Sequence, residues 1–299
     1  ELLEALAVRK GPDIFMIPNG ALERNKEKIA FAPQSQMSLL SLRRFFPRVV
    51  EEDFFLEGRV GALPRSIDTL ALLYNRSALN EAGVALPPET WEELEAMIPR
   101  LVKKDGAGNL TRAGAALGGS GDTIARAEDI VKFIAFQNAA AEGTSLGAAT
   151  QGSAGTRALD FYAKFGRAGD VVSTWNETMP YSLDAFGAGR VAMIFGYFTD
   201  MKNVSARNSF VEIAVAKAPQ KKDAEVPMAL ANYWGYTASS QSRMPDIAWQ
   251  FIIMMTTNEG IARSYTGATG RPPALNFLIE ASIEDPALHV FAEQALVAR

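Results

Sequence analysis

Short apolar runs of strand length alternate with longer segments of helical periodicity along the chain. The runs occupy residues 13–17, 70–75, 191–195, 211–216 and 234–238. Segments with apolar residues at helical spacing lie between them, as at residues 126–141 and 153–168. Brief apolar runs between helices are typical of strands buried in a sheet that helices cover. The alternation therefore predicts an α/β fold.

Local signals mark several element ends. Thr90 and Glu93 match the S/T-x-x-E capping box, so a helix is expected from there to about residue 104. The glycine-rich residues 105–109 follow as a surface turn, because they lack the ligand spacing of a calcium loop. Asn19 comes directly after the first strand, at the kind of loop where α/β sheets bind ligands. Residues 139–155, rich in alanine and glycine, are predicted to connect two helices.

Composition narrows the possible functions. The 299 residues carry 30 basic and 34 acidic side chains, a net charge of −4, and no basic tract is interleaved with aromatic residues. Nucleic acid is therefore not expected as a partner. A chain of this length is long for one compact core and is expected to form two lobes. Cysteine is absent and His289 is the only histidine, so we expect no metal, no cofactor and no catalytic residues.

Both ends of the sequence resemble interrupted helices. Residues 1–6 already form an amphipathic pattern without a capping residue before them. Asp285 and Pro286 are expected to start a last helix, which runs to the final residue without a terminating signal. We therefore expect a chain truncated at both ends, in which the lack of a visible signal peptide says nothing about export.

Five segments follow one another in a recognisable order. They are LPRSIDTLALLYN (63–75) with EAG (81–83), PPETWEEL (87–94) with KDG (104–106), FGAGRVAM (186–193), AWQFI (248–252) with NEG (258–260), and GRPPA (270–274). Together they resemble the family 1 extracellular solute-binding proteins of ABC importers, the group that includes maltose- and oligosaccharide-binding proteins. The resemblance spans nearly the whole chain.

The resemblance implies a two-lobed α/β fold of the periplasmic-binding-protein type II kind, with a hinge and a ligand cleft between the lobes. It implies discontinuous lobes: residues 1–68 and 229–284 in the N-terminal lobe, and residues 69–228 in the C-terminal lobe. Residues 285–299 are expected to begin the C-terminal helices, in the C-terminal lobe.

The resemblance also implies a function. An extracytoplasmic, membrane-anchored and monomeric protein would capture a small solute and deliver it to the permease subunits of an ABC importer. A sugar or oligosaccharide is the first expectation, while a polyol, a peptide or a phosphorylated polyol stays open. Two alternatives remain: a sensory ligand-binding module, and a glycosidase or lyase that pairs Asp68 with Asp122 or Asp184.

Candidate ligand-binding residues follow from the positions at which family members hold their ligands. The chain is expected to cross between lobes near residues 68–70 and again between residues 227 and 236. The segment after Met193 usually carries an aromatic platform, often tryptophan, and this chain has Tyr197 and Phe198 there. For each aromatic candidate the alternative is ordinary core packing. The complete candidate set is Asn19, Arg65, Ser66, Asp68, Trp175, Tyr197, Phe198, Asn232, Tyr233, Trp234 and Arg271.

Overall fold

The computed structural model describes residues 2–7, 10–144, 152–208 and 211–298. The helices are α1 Leu2–Ala7, α2 Leu22–Asn25, α3 Leu39–Phe45, α4 Arg48–Phe54, α5 Arg76–Glu81, α6 Trp91–Leu101, α7 Ala127–Ala141, α8 Ala154–Ala163, α9 Ser182–Gly187, α10 Phe198–Arg207, α11 Pro245–Thr257, α12 Glu259–Thr269, α13 Asn276–Ser282 and α14 His289–Val297. The strands are β1 Ile14–Pro18, β2 Ile29–Ala30, β3 Phe55–Leu56, β4 Arg59–Val60, β5 Leu63–Pro64, β6 Asp68–Thr69, β7 Ala71–Asn75, β8 Lys103–Lys104, β9 Leu110–Ala115, β10 Val191–Gly196, β11 Ile213–Lys217, β12 Ala231–Asn232 and β13 Trp234–Ser239. Of the connection predicted at residues 139–155, residues 145–151 lie outside the described residues.

The chain forms two compact units. Unit 1 comprises Glu1–Thr69 and Ala231–Arg299, and unit 2 comprises Leu70–Leu230. The chain therefore passes between the units twice, between Thr69 and Leu70 and between Leu230 and Ala231.

The assignment of residues 285–299 to the C-terminal lobe differs from the structure, which places them in unit 1. Phe291 and Ala292 of α14 are buried, and α14 contacts α13, α4 and β6 of the same unit. The Phe291 carbonyl accepts a hydrogen bond from the Thr69 hydroxyl at 3.3 Å, and Gln294 Nε2 donates to the same hydroxyl at 3.1 Å. Burial of these side chains holds the helix on unit 1.

Unit 1 contains an antiparallel sheet in which β13 pairs with β1, β2 and β5. Helix α11 packs on β13 and β5. Its Trp249 is fully buried, and the indole N–H donates to the Ala30 carbonyl at 2.6 Å. A separate two-stranded pair joins β6 to β12, with Asp68 opposite Asn232. The chain enters unit 2 directly after Thr69 of β6 and returns from it directly before Ala231 of β12.

Unit 2 contains a five-stranded sheet in the order β11-β7-β10-β9-β8, with β9 and β10 parallel and the other pairs antiparallel. Strand β10 is buried along its whole length, as its sequence predicts. Trp91 stacks on Phe195 with ring centroids 5.5 Å apart, and its indole N–H donates to Gln137 at 2.7 Å. Glu81 of α5 contacts Lys103 of β8 and Arg112 of β9, which joins the helix to the edge of the sheet.

The capping box at Thr90 and Glu93 is confirmed, with both reciprocal hydrogen bonds present at the start of α6. The helix ends at Leu101 rather than at about residue 104, because Lys103 and Lys104 pair with β9. The predicted helix start at Pro286 is wrong. The Asp285 carboxylate and carbonyl accept hydrogen bonds from the N–H groups of residues 287–289, forming a turn, and α14 begins at His289. Within the described residues no helix has the length and hydrophobicity needed to cross a membrane.

Candidate functional site

A polar cluster lies on unit 1 where β6 and β12 pair. Asp68 and Asn232 are directly opposite one another in this antiparallel pair, so their side chains project from the same face. The Asp68 carboxylate accepts a hydrogen bond from the Thr69 N–H at 3.0 Å. Trp234 follows two residues after Asn232 and begins β13. We call Asn19, Asp68, Asn232 and Trp234 the junction cluster.

Asn19 belongs to this cluster through its contacts with residues 231–233. Its side-chain oxygen accepts from the Tyr233 N–H and its side-chain nitrogen donates to the Ala231 carbonyl, both at 3.3 Å. Its backbone N–H donates to the Tyr233 carbonyl at 2.9 Å. An amide has two donor hydrogens and an oxygen with two lone pairs. Asn19 therefore holds the β12–β13 connection in place and keeps one donor and one lone pair for another partner.

Trp234 and Tyr233 are adjacent in sequence but differ in environment. The Trp234 side chain is 49% exposed. Tyr233 is 3% exposed, and its ring packs edge-on against Phe54 at 5.4 Å. Its hydroxyl donates to Asp53 at 2.6 Å, and burial followed by the charge of Asp53 raises the pKa of Tyr233 well above its usual value. Tyr233 has no free ring face, so its assignment as a ligand-binding residue is corrected to a core residue of unit 1.

Arg65, Ser66 and Arg271 lie together in a second part of unit 1. The Arg65 guanidinium stands 3.9 Å over the ring of Tyr265 on α12. Ser66 forms an isolated strand bridge with Pro273, two residues after the exposed Arg271. No local sequence pattern marks Tyr265 or its neighbour Thr266 as a site residue. Only the contact of Tyr265 with Arg65 in the folded chain brings them to notice. We call Arg65, Ser66, Tyr265, Thr266 and Arg271 the arginine patch.

In unit 2, Tyr197 does not provide an open aromatic platform. It is 2% exposed, and the Arg126 guanidinium covers its ring at 4.9 Å. The Tyr197 hydroxyl donates to Asp129 at 3.0 Å, while its backbone N–H donates to Asp200 at 2.9 Å. Arg126 in turn binds Asp200 through two hydrogen bonds of 2.9 Å, which raise the pKa of Arg126. The expectation for Tyr197 is therefore corrected: its ring is part of a buried ionic network.

Phe198 and Trp175 are also buried in unit 2, at 4% and 2% exposure. The loop at Gly119 covers Trp175 so closely that a Cβ on Gly119 would lie 2.9 Å from the indole Cδ1. The indole N–H of Trp175 has no hydrogen-bond partner among the described residues. Neither ring presents an open face, because both side chains are almost fully covered. These two candidates are therefore corrected to core residues.

The carboxylates proposed for an enzyme lie in different compact units. Asp184 is engaged by Arg207 at 3.1 Å on the surface of unit 2, and Asp122 is exposed in the loop before α7. Asp68 belongs to unit 1. His289 Nδ1 donates to the Ile283 carbonyl at 2.6 Å. In the part of the chain that the structure describes, no three His, Cys, Asp or Glu side chains are grouped as metal ligands would be.

The family model for bacterial extracellular solute-binding proteins matches residues 6–262 of this chain. The chain belongs to this family. The recognition made from the sequence is confirmed, and the protein is an extracellular solute-binding protein rather than an enzyme. The carboxylate-pair alternative is not favoured by this finding.

Several solved structures share the fold of this chain. A cyclo/maltodextrin-binding protein in complex with maltotetraose is 18% identical with a TM-score of 0.74, and the match covers 99% of this chain and 74% of that one. An ABC transporter solute-binding protein from Thermotoga lettingae TMO, bound with alpha-D-tagatose, is 18% identical with a TM-score of 0.73, covering 99% and 76%. The GacH receptor of Streptomyces glaucescens GLA.O is 19% identical with a TM-score of 0.72, covering 100% and 76%. No match was found among curated protein sequences.

Proposed function

We propose that this solute-binding protein captures a sugar or oligosaccharide and delivers it to the permease subunits of an ABC importer. The proposal includes action as a monomer, outside the cytoplasm and held at the membrane. The structural neighbours bound with maltotetraose and with tagatose support a sugar as the solute. So does the GacH receptor, whose structures include a complex with acarbose.

The observation that carries the proposal is the exposed indole of Trp234 within the junction cluster. A sugar presents an apolar C–H face and a rim of hydroxyl groups, and an aromatic ring combined with polar acceptors matches both features. Asp68 supplies a carboxylate, which makes strong hydrogen bonds to hydroxyl donors. Asn232 supplies an amide that both donates and accepts. Asp68, Asn232 and Trp234 are therefore the residues of unit 1 that we propose contact the solute, with Asn19 holding them in place.

A thermal-shift screen tests the sugar assignment. A ligand at free concentration L that binds only the folded protein stabilises it by RT ln(1 + L/Kd), so the melting temperature rises with the logarithm of ligand concentration above Kd. We expect a concentration-dependent rise with at least one of maltotetraose, tagatose, acarbose or mannobiose. Amino acids and polyamines serve as negative controls. A rise with the controls and with none of the sugars would refute the sugar assignment and leave the family membership standing.

Delivery to an importer is tested by uptake. Cells that lack this protein should lose uptake of the radiolabelled sugar found in the screen, and the intact gene should restore it. Normal uptake in its absence, together with binding by the purified protein, would favour the sensory role instead.

A further inference from the structure

Arg65 is a half-buried cation that the protein itself leaves without an acceptor. Its Nε is buried and has no hydrogen-bond partner, and no ion pair to its guanidinium occurs among the described residues. Several other arginines of unit 1 are paired: Arg43 with Glu51, Arg48 with Glu52 and Arg263 with Glu259. A buried donor without an acceptor destabilises a fold, so a ligand that supplied an acceptor to this guanidinium would offset that cost.

The rest of the arginine patch provides further donors around this cation. The Thr266 hydroxyl is buried without a partner, and the Ser66 hydroxyl has no hydrogen bond within the described part of the chain. Arg271 is exposed and has no ion pair to the residues that the structure describes. The patch joins two segments that touch at two points, Arg65 on Tyr265 and Ser66 beside Pro273.

The orientation of Arg65 is fixed before any ligand arrives. Its guanidinium lies 3.9 Å over the Tyr265 ring, and this cation–π contact holds a planar fork of N–H donors in one direction. Such a fork matches the two oxygens of a carboxylate or a phosphate, and hydrogen bonds between ions of opposite charge are the strong ones. A neutral hydroxyl would satisfy single donors but would leave the positive charge uncompensated.

We propose that the arginine patch binds an acidic group of the solute, a carboxylate or a phosphate ester, so that the captured solute is an acidic sugar or polyol. This inference rests on the proposed function and names its substrate class. Arg65 and Asp68 are three residues apart, which places their Cα atoms at most about 10 Å from one another. One small molecule can therefore place its ring and hydroxyl groups on the junction cluster while its acidic group reaches Arg65.

The test compares acidic solutes with their neutral counterparts by isothermal titration calorimetry. The matched pairs are glucuronic acid and glucose, galacturonic acid and galactose, glucose 6-phosphate and glucose, and sn-glycerol 3-phosphate and glycerol. In the wild type we expect at least one acidic member to bind roughly tenfold or more tightly than its neutral partner. The uronic acids and the phosphates then distinguish a carboxylate site from a phosphate site.

Arg65→Met removes the charge and the N–H donors while it keeps an apolar stem. We expect it to abolish the preference, so that the acidic and the neutral member of each pair bind with similar affinity. Arg59→Met is the matched control, because Arg59 also lies over an aromatic ring, Phe31, at 4.4 Å but has an ion-pair partner in Glu57. Arg59→Met should keep the preference, and apo melting curves show whether each variant is folded.

The outcomes separate this inference from the proposed function. Neutral sugars that bind as tightly as their acidic partners in the wild type would overturn the acidic-group assignment and leave sugar capture standing. This comparison needs no variant. A preference that persists in folded Arg65→Met would overturn the assignment to the arginine patch. If no sugar of either kind binds, both the sugar assignment and its acidic group are refuted.

Discussion

Replacing Trp234 by alanine should weaken solute binding and should destabilise the fold less than the loss of a fully buried tryptophan does. The side chain is 49% exposed. A tryptophan buries about 150–250 Å² when fully covered, so about 100 Å² remains for a solute to cover. At about 25 cal/mol per Å² this area corresponds to about 2.5 kcal/mol. A sugar covers one ring face rather than the whole remainder, so the expected loss is about 1–2 kcal/mol, or roughly 5- to 30-fold in Kd.

Calorimetric titration of the wild type and Trp234→Ala with the sugar found by screening measures this loss. Trp249→Ala is the control from the same unit, because Trp249 is fully buried with its indole N–H bonded to Ala30. It should lower the free energy of unfolding by about 3–5 kcal/mol, against about 1–2 kcal/mol for the partly covered Trp234. Unchanged affinity in folded Trp234→Ala would refute its role as a platform.

Three further predictions concern unit 2. Asp200→Ala should lower the free energy of unfolding by about 3 kcal/mol, because it removes the buried partner of Arg126 and the acceptor of the Tyr197 N–H. Asp184→Ala on the surface should cost under about 1 kcal/mol, and equal losses in urea denaturation would contradict this. Hydrogen bonds from Lys103 and Arg112 lower the pKa of Glu81 from 4.5 to about 2. The stabilisation that the ionised Glu81 carboxylate gives the folded state is therefore present above pH 4.5 and is lost as the pH falls toward 2. Glu81→Gln should therefore destabilise the protein at pH 7 and not at pH 2, and a loss of equal size at both pH values would disprove the assignment. Gly118→Ala should lower the melting temperature by several degrees, because φ is +90° and a Cβ would lie 2.1 Å from the Gly166 nitrogen; a wild-type melting curve would rule out that close approach.

Elements specified by neighbouring residues could be predicted from the sequence. The capping box depends on two residues only three positions apart, Thr90 and Glu93, and it predicted the start of α6. The buried strand β10 is apolar at almost every position, which only a strand covered on both faces tolerates. Helix α10 was not predicted, because its first turn is stabilised by Asp200 bonding the Tyr197 N–H and no standard capping residue precedes it.

The exposure of site residues depends on partners distant in sequence. Tyr233 and Trp234 are neighbours with similar side chains, and Phe54 and Asp53 on a remote helix decide which of them is buried. The sequence predicted Tyr197 as an aromatic platform, but the Arg126 guanidinium lies over its ring in the structure. Such long-range packing has no signature in local periodicity, so a family resemblance could nominate candidate residues but could not separate the exposed aromatic side chains from the buried ones.

The two halves of unit 1 are synthesised at different times. Ile14 pairs with Ala238, and at roughly 5–20 residues per second β13 leaves the ribosome roughly ten to forty seconds after β1. Unit 2 is one continuous stretch that can fold in this interval, and the Leu70 N–H donates to the Leu230 carbonyl at 2.9 Å, so its first and last residues are bonded to each other. Folding of unit 2 brings its first and last residues together, and with them the two chain segments that form unit 1. The entropy cost of closing a long flexible loop between these segments is then already met when unit 1 forms. A substitution that slows the folding of unit 2 should therefore delay the formation of unit 1 as well, even when it changes no residue there.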